Sequence, residues 1–174
     1  MKPGGGKGKG SAFERDVCKG LSLWLTRNED ADILWRSAIS GGRATVAAKK
    51  GKFLGHVSGD VCAVHELGYP FVKQFYVECK FLKNLHLTRL VIDNEGPLLD
   101  IWKTTVDWAD TYDKLPVLVA KQNQHEPIVV LNQKAAECLR LDRLDEYASF
   151  PQLGMYVYPF TYMLDAQLPW RTLF

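Results

Sequence analysis

The stretch QFYVECKFL, residues 74–82, decides the fold. Side chains of an extended strand alternate between two faces, and this stretch alternates in that way. One face is apolar throughout and consists of Phe75, Val77, Cys79 and Phe81. The other face ends in an acid and a base, Glu78 and Lys80. Such a pair fits a solvated outer face as well as a functional site, so the rest of the chain must separate the two interpretations.

The composition indicates one globular domain with a hydrophobic core. The chain has 174 residues, of which 47% are hydrophobic, and it contains five Trp and eight Phe. That length and apolar content are sufficient for a single domain. The net charge is +2, but residues 1–52 hold eleven Lys and Arg against five Asp and Glu, and the remainder has an acidic excess. The basic first third is therefore a candidate surface for a polyanion.

The cysteines and the hydropathy pattern argue against several classes of protein. The cysteines lack a C-x-x-C spacing and lie in apolar patterns, which predicts reduced core residues and no zinc site: Cys18, Cys62, Cys79 and Cys138. No stretch reaches the ~18 apolar residues that span a bilayer, and the N-terminus MKPGGGKGKG lacks the apolar region of a signal peptide. We therefore expect a protein of the cytoplasm, or of the host cytoplasm if it is viral, without a membrane partner.

The first half of the chain predicts one helix followed by three strands. Residues 1–10 are expected to form a flexible basic tail, because Gly and Lys cannot build a core. Apolar positions in SAFERDVCKGLSLWL recur at helical spacing, and Ser11 is well placed as the N-cap. DILWRSAI and DVCAVHEL then read as strands joined by a long Gly- and Lys-rich connection. The third strand is FVKQFYVECKFL, and the short turn before it predicts a hairpin with DVCAVHEL.

The second half begins with an amphipathic helix, GPLLDIWKTTVDWADTY, that starts at Pro97. LPVLVAK and PIVVL follow as strands, and the first is apolar enough to be central. The order up to Lys121 is thus α-β-β-β-α-β. Beyond it, QKAAECLRLDRLDEY predicts a helix and GMYVYPF a strand, while residues 170–174 are unassigned. We expect a core of residues 11–131 and a C-terminal extension, residues 132–174, packed on the same domain.

Two carboxylates outside the opening stretch favour a functional site. Asp60 opens the second strand, where the hairpin would place it beside Glu78; the alternative is a turn-capping role after Gly59. With Phe13 at 0° on a helical wheel, Glu14 falls at about 100°, within the apolar arc. A carboxylate that points to the core is costly unless it meets a cation or a metal ion. The alternative for Glu14 is a capping box with Ser11.

Three carboxylates and one ammonium at one sheet edge fit a divalent-metal phosphodiesterase. Mg²⁺ takes few protein oxygens and keeps water and phosphate as its other ligands. A bound metal ion polarises the phosphoryl oxygen and supplies a hydroxide nucleophile near neutral pH. Lys80 lies ~6.6 Å along the strand from Glu78, at ~3.3 Å per residue, which is close enough to orient that water or to stabilise the developing charge.

These motifs in this order resemble the PD-(D/E)xK nuclease superfamily, whose core is α-β-β-β-α-β. Within that superfamily the chain is similar above all to archaeal-type Holliday junction resolvases and to related phage endonucleases. The resemblance spans roughly residues 8–121 and rests on the segments GKGSAFER, WRSAISGG, DVCA and ECK. It implies a restriction-endonuclease-like α/β fold, with a mixed central sheet flanked by helices.

The resemblance also implies roles for individual residues. It implies that the metal ligands are Glu14, Asp60, Glu78 and the backbone carbonyl of Cys79. Lys80 corresponds to the catalytic lysine, and Ser40 to a residue that contacts DNA or assists catalysis. Contacts to DNA are expected from the basic residues of the first third: Lys7, Lys9, Arg15, Arg36, Arg43, Lys49, Lys50 and Lys52.

The implied activity is Mg²⁺-dependent hydrolysis of DNA, with Mn²⁺ able to substitute. A four-way junction or other branched DNA is the expected substrate, in recombination or repair, and the expected assembly is a homodimer because a four-way junction presents two equivalent phosphates. Two alternatives stay open: a nuclease of linear or nicked duplex that serves repair, restriction or packaging, and a catalytically silent DNA-binding module.

Three features depart from the superfamily pattern. Gly59 stands where the motif has Pro, and we expect little consequence because that residue supplies no ligand. The connection from Gly41 to Gly59 is long and contains KKGK, so its substrate contacts cannot be copied from the family. Residues 132–174 have no counterpart in the resemblance.

Overall fold

The computed structural model describes residues 5–37, 59–143 and 148–165. The helices are α1 (Gly5–Leu25), α2 (Tyr69–Gln74), α3 (Leu87–Asp93), α4 (Pro97–Thr111), α5 (Gln133–Cys138) and α6 (Phe160–Asp165). The strands are β1 (Leu34–Arg36), β2 (Val61–Ala63), β3 (Phe75–Leu82), β4 (Leu115–Gln122), β5 (Ile128–Leu131), β6 (Ala148–Phe150) and β7 (Met155–Pro159). Short 3₁₀ turns occur at Glu66–Gly68, Leu141–Arg143 and Pro151–Leu153.

Within the described residues, five strands form one mixed sheet in the order β3-β4-β5-β7-β6. Strands β3 and β4 run parallel, and the other neighbouring pairs run antiparallel. Strands β1 and β2 form a separate antiparallel ribbon. A parallel bridge from Gly59 to Val77 joins the chain before β2 to the free edge of β3. One further hydrogen bond closes the end of this ribbon: the N–H of Ser37, directly after β1, donates to the carbonyl oxygen of Asp60, directly before β2 (2.8 Å).

Helices cover both faces of the sheet, and each face has its own apolar core. On one face, α1, α5 and α6 pack against side chains of β3, β4 and β5; this core includes Leu21 of α1, Val77 of β3 and Val119 of β4. On the other face, Leu98 and Trp102 of α4 pack against the alternate residues of β4 and β5. The expected restriction-endonuclease-like class, a mixed central sheet flanked by helices, is confirmed. No described helix combines the length and the apolar content needed to cross a bilayer.

Several predicted elements are confirmed with small changes in their ends. The helix from Pro97 is α4, and LPVLVAK is β4, an interior strand whose residues 116–120 are buried. PIVVL and GMYVYPF are β5 and β7, which pair with each other. The helix predicted after residue 132 is shorter, since α5 ends at Cys138. All cysteines lie in the described ranges and are free thiols, as expected. Cys18 and Cys79 are buried in the core, whereas Cys62 and Cys138, also predicted as core residues, are only partly buried.

The predicted hairpin between the second and third strands is wrong. Residues 69–74 form α2, so the third strand begins at Phe75 and not at Phe71. Pro70 fits the first turn of a helix, where its missing N–H is no loss, and the helix buries Phe71 and Val72. The second strand is also shorter, and β2 pairs with β1 instead of β3.

Helix α1 begins at Gly5, six residues before the predicted start at Ser11. Ser11 therefore lies inside the helix, and its predicted N-cap role is wrong. The capping box between Ser11 and Glu14 is excluded for the same reason. The apolar pattern does not predict this earlier start, because a helix that is already nucleated gains one hydrogen bond for each added residue, whether or not that residue is buried.

Candidate active site

Asp60 is fixed to the free edge of β3 by two hydrogen bonds. Its backbone N–H donates to the carbonyl oxygen of Val77 (2.8 Å), and its Oδ2 accepts from the backbone N–H of Cys79 (2.9 Å). The residue is only 7% exposed. Although the predicted hairpin does not form, Asp60 still lies alongside the strand that carries Glu78.

Gly59 makes this approach possible, which corrects the expectation that its identity matters little. Its φ of +80° lies in the left-handed region that side chains disfavour. A Cβ at this position would also lie closer to the carbonyl oxygen of Val77 than real Cβ atoms come to other atoms. Proline, the superfamily residue, is incompatible with this φ. Gly59 supplies no ligand, but it determines where Asp60 lies.

Glu78 and Lys80, the acid and the base, lie on the same face of β3, as the alternation of side chains predicts. The Lys80 ammonium forms an ion pair with Oε1 of Glu78, and the Tyr76 hydroxyl donates to Oε2 of the same carboxylate (3.3 Å). The Glu78 side chain is 17% exposed and that of Lys80 is 41% exposed. This face is therefore largely enclosed, and the interpretation as a solvated outer face does not hold.

The two carboxylates interact electrostatically. Burial, followed by the negative charge of Glu78, raises the pKa of Asp60 to about 7, although the N–H of Cys79 and the charge of Lys80 act in the opposite direction. For Lys80, burial lowers the pKa, but the charge and hydrogen bond of Glu78 together with the charge of Asp60 raise it overall. The site thus holds more negative charge than its one ammonium balances, which favours an additional cation.

The oxygens at this edge fit a hard divalent cation. The N–H of Cys79 points toward Asp60, and the N–H and C=O of one residue in an extended strand point to the same side, so the Cys79 carbonyl faces the Asp60 edge. In the described part of the chain, no group of three or more His, Cys, Asp and Glu side chains is placed to hold a metal ion. Mg²⁺ does not require such a group, since one or two carboxylates with water and phosphate suffice. Asp60, Glu78 and the Cys79 carbonyl are the oxygens that would hold it.

Glu14 points inward from α1, as its position on the helical wheel predicts, and it meets a cation. Both Nε and Nη2 of Arg36 contact Oε2 of Glu14, at 2.9 Å and 2.8 Å. The charge of Glu14 also contributes to the raised pKa of Asp60, after burial and Glu78. Arg36, expected to contact phosphate, is therefore paired with an acid of the same site.

The structure places the remaining predicted DNA contacts only in part. Lys9 and Arg15 are exposed on α1, whose Phe13 ring packs edge-on against Phe81 of β3 (5.8 Å between centroids). This contact sets the first half of α1 over the end of the strand that carries Glu78. Lys7 belongs to α1, but its side chain lies outside the described residues, as do the following residues: Ser40, Arg43, Lys49, Lys50 and Lys52.

Sequence reasoning missed two residues of this site. Tyr76 lies on the same strand face as Glu78 and Lys80, so the alternation of side chains contained the signal for its contact with Glu78. Burial and then the charge of Glu78 raise the pKa of Tyr76, so its hydroxyl remains a hydrogen-bond donor. Gly59 had no comparable signal, because its role depends on how closely the chain approaches Val77.

Comparison with known proteins identifies one family. The family model described as "Phage putative PDDEXK endonuclease" matches residues 5–149, which is more than half of the chain. The matched span contains the three acids of the site, Glu14, Asp60 and Glu78, which we call the acidic cluster, and it contains Lys80. No curated protein and no solved structure matches the chain.

Proposed function

Because the chain belongs to this phage PDDEXK endonuclease family, we propose that it is a Mg²⁺-dependent endonuclease that cuts branched DNA, with its active site at Asp60, Glu78 and Lys80. Membership of the family supports nuclease activity, and PD-(D/E)xK nucleases generally depend on a divalent metal ion. The observation that carries the site assignment is the pair of repelling carboxylates, the buried Asp60 and the partly buried Glu78, with the Lys80 ammonium in contact with Glu78.

Each residue has a distinct task in the proposed reaction. When bound, a divalent metal ion would polarise the scissile phosphate and lower the pKa of a bound water. Asp60 and Glu78 provide the negative charge that holds this ion, and the Cys79 carbonyl provides a neutral oxygen. Lys80 provides the ammonium that orients the attacking water or stabilises the charge that develops on the phosphate. For this task Lys80 exchanges its contact with Glu78 for a contact with substrate.

The proposed substrate, a four-way junction, and the proposed assembly, a homodimer, have matching symmetry. A four-way junction has two equivalent phosphates, and a dimer with two-fold symmetry presents two equivalent sites to them. The exposed basic residues of α1, Lys9 and Arg15, support binding of the DNA backbone near the site. The proposed dimer is supported by the exposed apolar side chains Val91 and Ile92 on α3, which a second copy of the chain would cover.

The test of this proposal is a cleavage assay on three substrates of shared sequence: a four-way junction, a Y-fork and a linear duplex. We expect cleavage in Mg²⁺, faster cleavage of the junction than of the duplex, and no cleavage in EDTA. The Lys80→Met variant is the control for contaminating nucleases, because methionine approximates the aliphatic stem of lysine and lacks the ammonium group. Equal rates on all three substrates would replace branched DNA by duplex as the substrate. Binding of DNA without Mg²⁺-dependent cleavage of any of the three substrates would leave a catalytically silent DNA-binding module.

A second prediction separates the proposed roles of Glu14 and Arg36. If Glu14 contributes to the metal site, Glu14→Gln should raise the Mg²⁺ concentration for half-maximal cleavage about tenfold. Loss of a residue that supports the metal ligands typically lowers metal affinity or activity by ~10–100-fold. Arg36→Gln should leave that concentration unchanged and weaken DNA binding. Titrations of Mg²⁺ and of DNA on both variants make the comparison. An identical effect of the two substitutions on both titrations would show that Glu14 acts only through its ion pair with Arg36.

A further inference from the structure

On one face of β3, two side chains contact the carboxylate of a third. Tyr76, Glu78 and Lys80 are two residues apart from each other, so they project from the same side of the strand. The Tyr76 hydroxyl donates to Oε2 of Glu78 (3.3 Å), and the Lys80 ammonium contacts Oε1. Both oxygens of the carboxylate are therefore held, one from each direction along the strand.

The two contacts differ in how firmly they are anchored. Tyr76 is 6% exposed, and its ring stacks on Tyr112 of the segment after α4, with 6.0 Å between centroids and 16° between planes. Tyr112 in turn packs against Trp108 (6.3 Å). A tyrosine has few rotatable bonds, so this packing fixes the position of its hydroxyl. Lys80, by contrast, is more exposed and carries its ammonium on a flexible four-carbon stem.

We propose that Tyr76 is a positioning residue that keeps the Glu78 carboxylate oriented toward the metal ion when Lys80 moves from Glu78 to the substrate. This inference rests on the proposed nuclease function and adds a residue that does not itself touch the metal ion or the DNA. Without the hydroxyl, Lys80 would be the remaining side-chain partner of Glu78 among the described residues. The carboxylate would then follow the lysine, and each group would hold the other away from its task.

The test uses Tyr76→Phe, which removes the hydroxyl and keeps the stacked ring. Tyr112→Phe is the matched control, since it removes a hydroxyl from the neighbouring ring of the same stack. The first readout is binding of Mn²⁺ to the full chain by calorimetry without DNA. The second is the single-turnover cleavage rate on a junction at saturating protein, together with the dissociation constant for the junction in Ca²⁺ or EDTA.

We expect Tyr76→Phe to weaken Mn²⁺ binding and to slow cleavage, each by about tenfold, in the range of partners that orient a metal ligand. Binding of the junction and the melting temperature should match those of Tyr112→Phe. Mn²⁺ binding equal to that of the unmodified chain would overturn the positioning role. So would a fall in the melting temperature that accounts for the lost activity. Failure of the unmodified chain to bind Mn²⁺ or cut DNA would instead remove the proposed function, and this inference with it.

Discussion

Replacing Asp60 by Asn should abolish cleavage and at the same time stabilise the metal-free protein. Asn preserves the size of the side chain and can still accept the hydrogen bond from the N–H of Cys79. It removes a buried negative charge that lies close to Glu78 and is costly to desolvate. The difference between a pKa of 3.8 and one of about 7 corresponds to at most about 4 kcal/mol, and structural relaxation reduces it, so we expect a gain of about 2 kcal/mol at pH 8.

The sign of the pH dependence follows from the same pKa. The folded protein holds the Asp60 proton up to about pH 7, whereas the unfolded chain releases it near the ordinary value of 3.8. Between these values the folded state binds more protons, so the contribution of Asp60 to stability is lost as the pH rises from about 4 to 7. The advantage of Asp60→Asn should therefore be small at pH 4 and largest above pH 7.

Urea denaturation in EDTA at several pH values measures the stability of the metal-free protein. Thermal unfolding with and without Mg²⁺ measures binding of the ion, and a cleavage assay in Mg²⁺ measures activity. Asp107→Asn, an exposed acid on α4, is the control for a change of net charge. Mg²⁺ should raise the melting temperature of the unmodified chain and leave that of Asp60→Asn unchanged, because a ligand stabilises only the state that binds it. A less stable Asp60→Asn protein, or one that still cuts DNA in Mg²⁺, would contradict the assignment of Asp60.

Replacing Gly59 by Ala should destabilise the protein and eliminate cleavage, although Gly59 makes no contact with substrate in the proposed mechanism. The positive φ costs a residue with a Cβ about 1–2 kcal/mol. The added methyl group also collides with the carbonyl oxygen of Val77, a backbone atom that cannot rotate away. The chain must retreat from β3, which breaks the hydrogen bonds from Asp60 to Val77 and from Cys79 to Asp60. We expect a total loss of about 2–4 kcal/mol.

Gly154→Ala provides a matched control for this substitution. Gly154 also has a positive φ, +62°, but a Cβ there would meet nothing within 4 Å. This variant should lose only the conformational part of the cost, about 1 kcal/mol, and should cut DNA normally. Urea midpoints and cleavage rates of the two variants give the comparison. Equal losses of stability, or normal cleavage by Gly59→Ala, would mean that the close approach to Val77 does not determine the site.

The sequence predicts much of this fold because its strongest signals are local. Alternation identifies β3 and its acid and base, and helical periodicity identifies α1 and α4 and the inward position of Glu14. The predicted hairpin is wrong because a short apolar run such as YPFV fits a strand or a helix, and because Pro70 is as compatible with the first turn of a helix as with a turn between strands. The partner of Glu14 also escaped prediction, because Arg36 is 22 residues away and the pair exists only once β1 packs against α1.

The closing of the ribbon at Ser37 has a consequence for how this chain can change over time. The chain leaves the acidic cluster at Ser37 and returns at Gly59, and the hydrogen bond from Ser37 to Asp60 joins these two points directly. The length and sequence of residues 38–58 are thereby uncoupled from the position of Asp60. Selection, or an engineer, can therefore lengthen, shorten or exchange that segment while the hydrogen bonds that position Asp60 are retained.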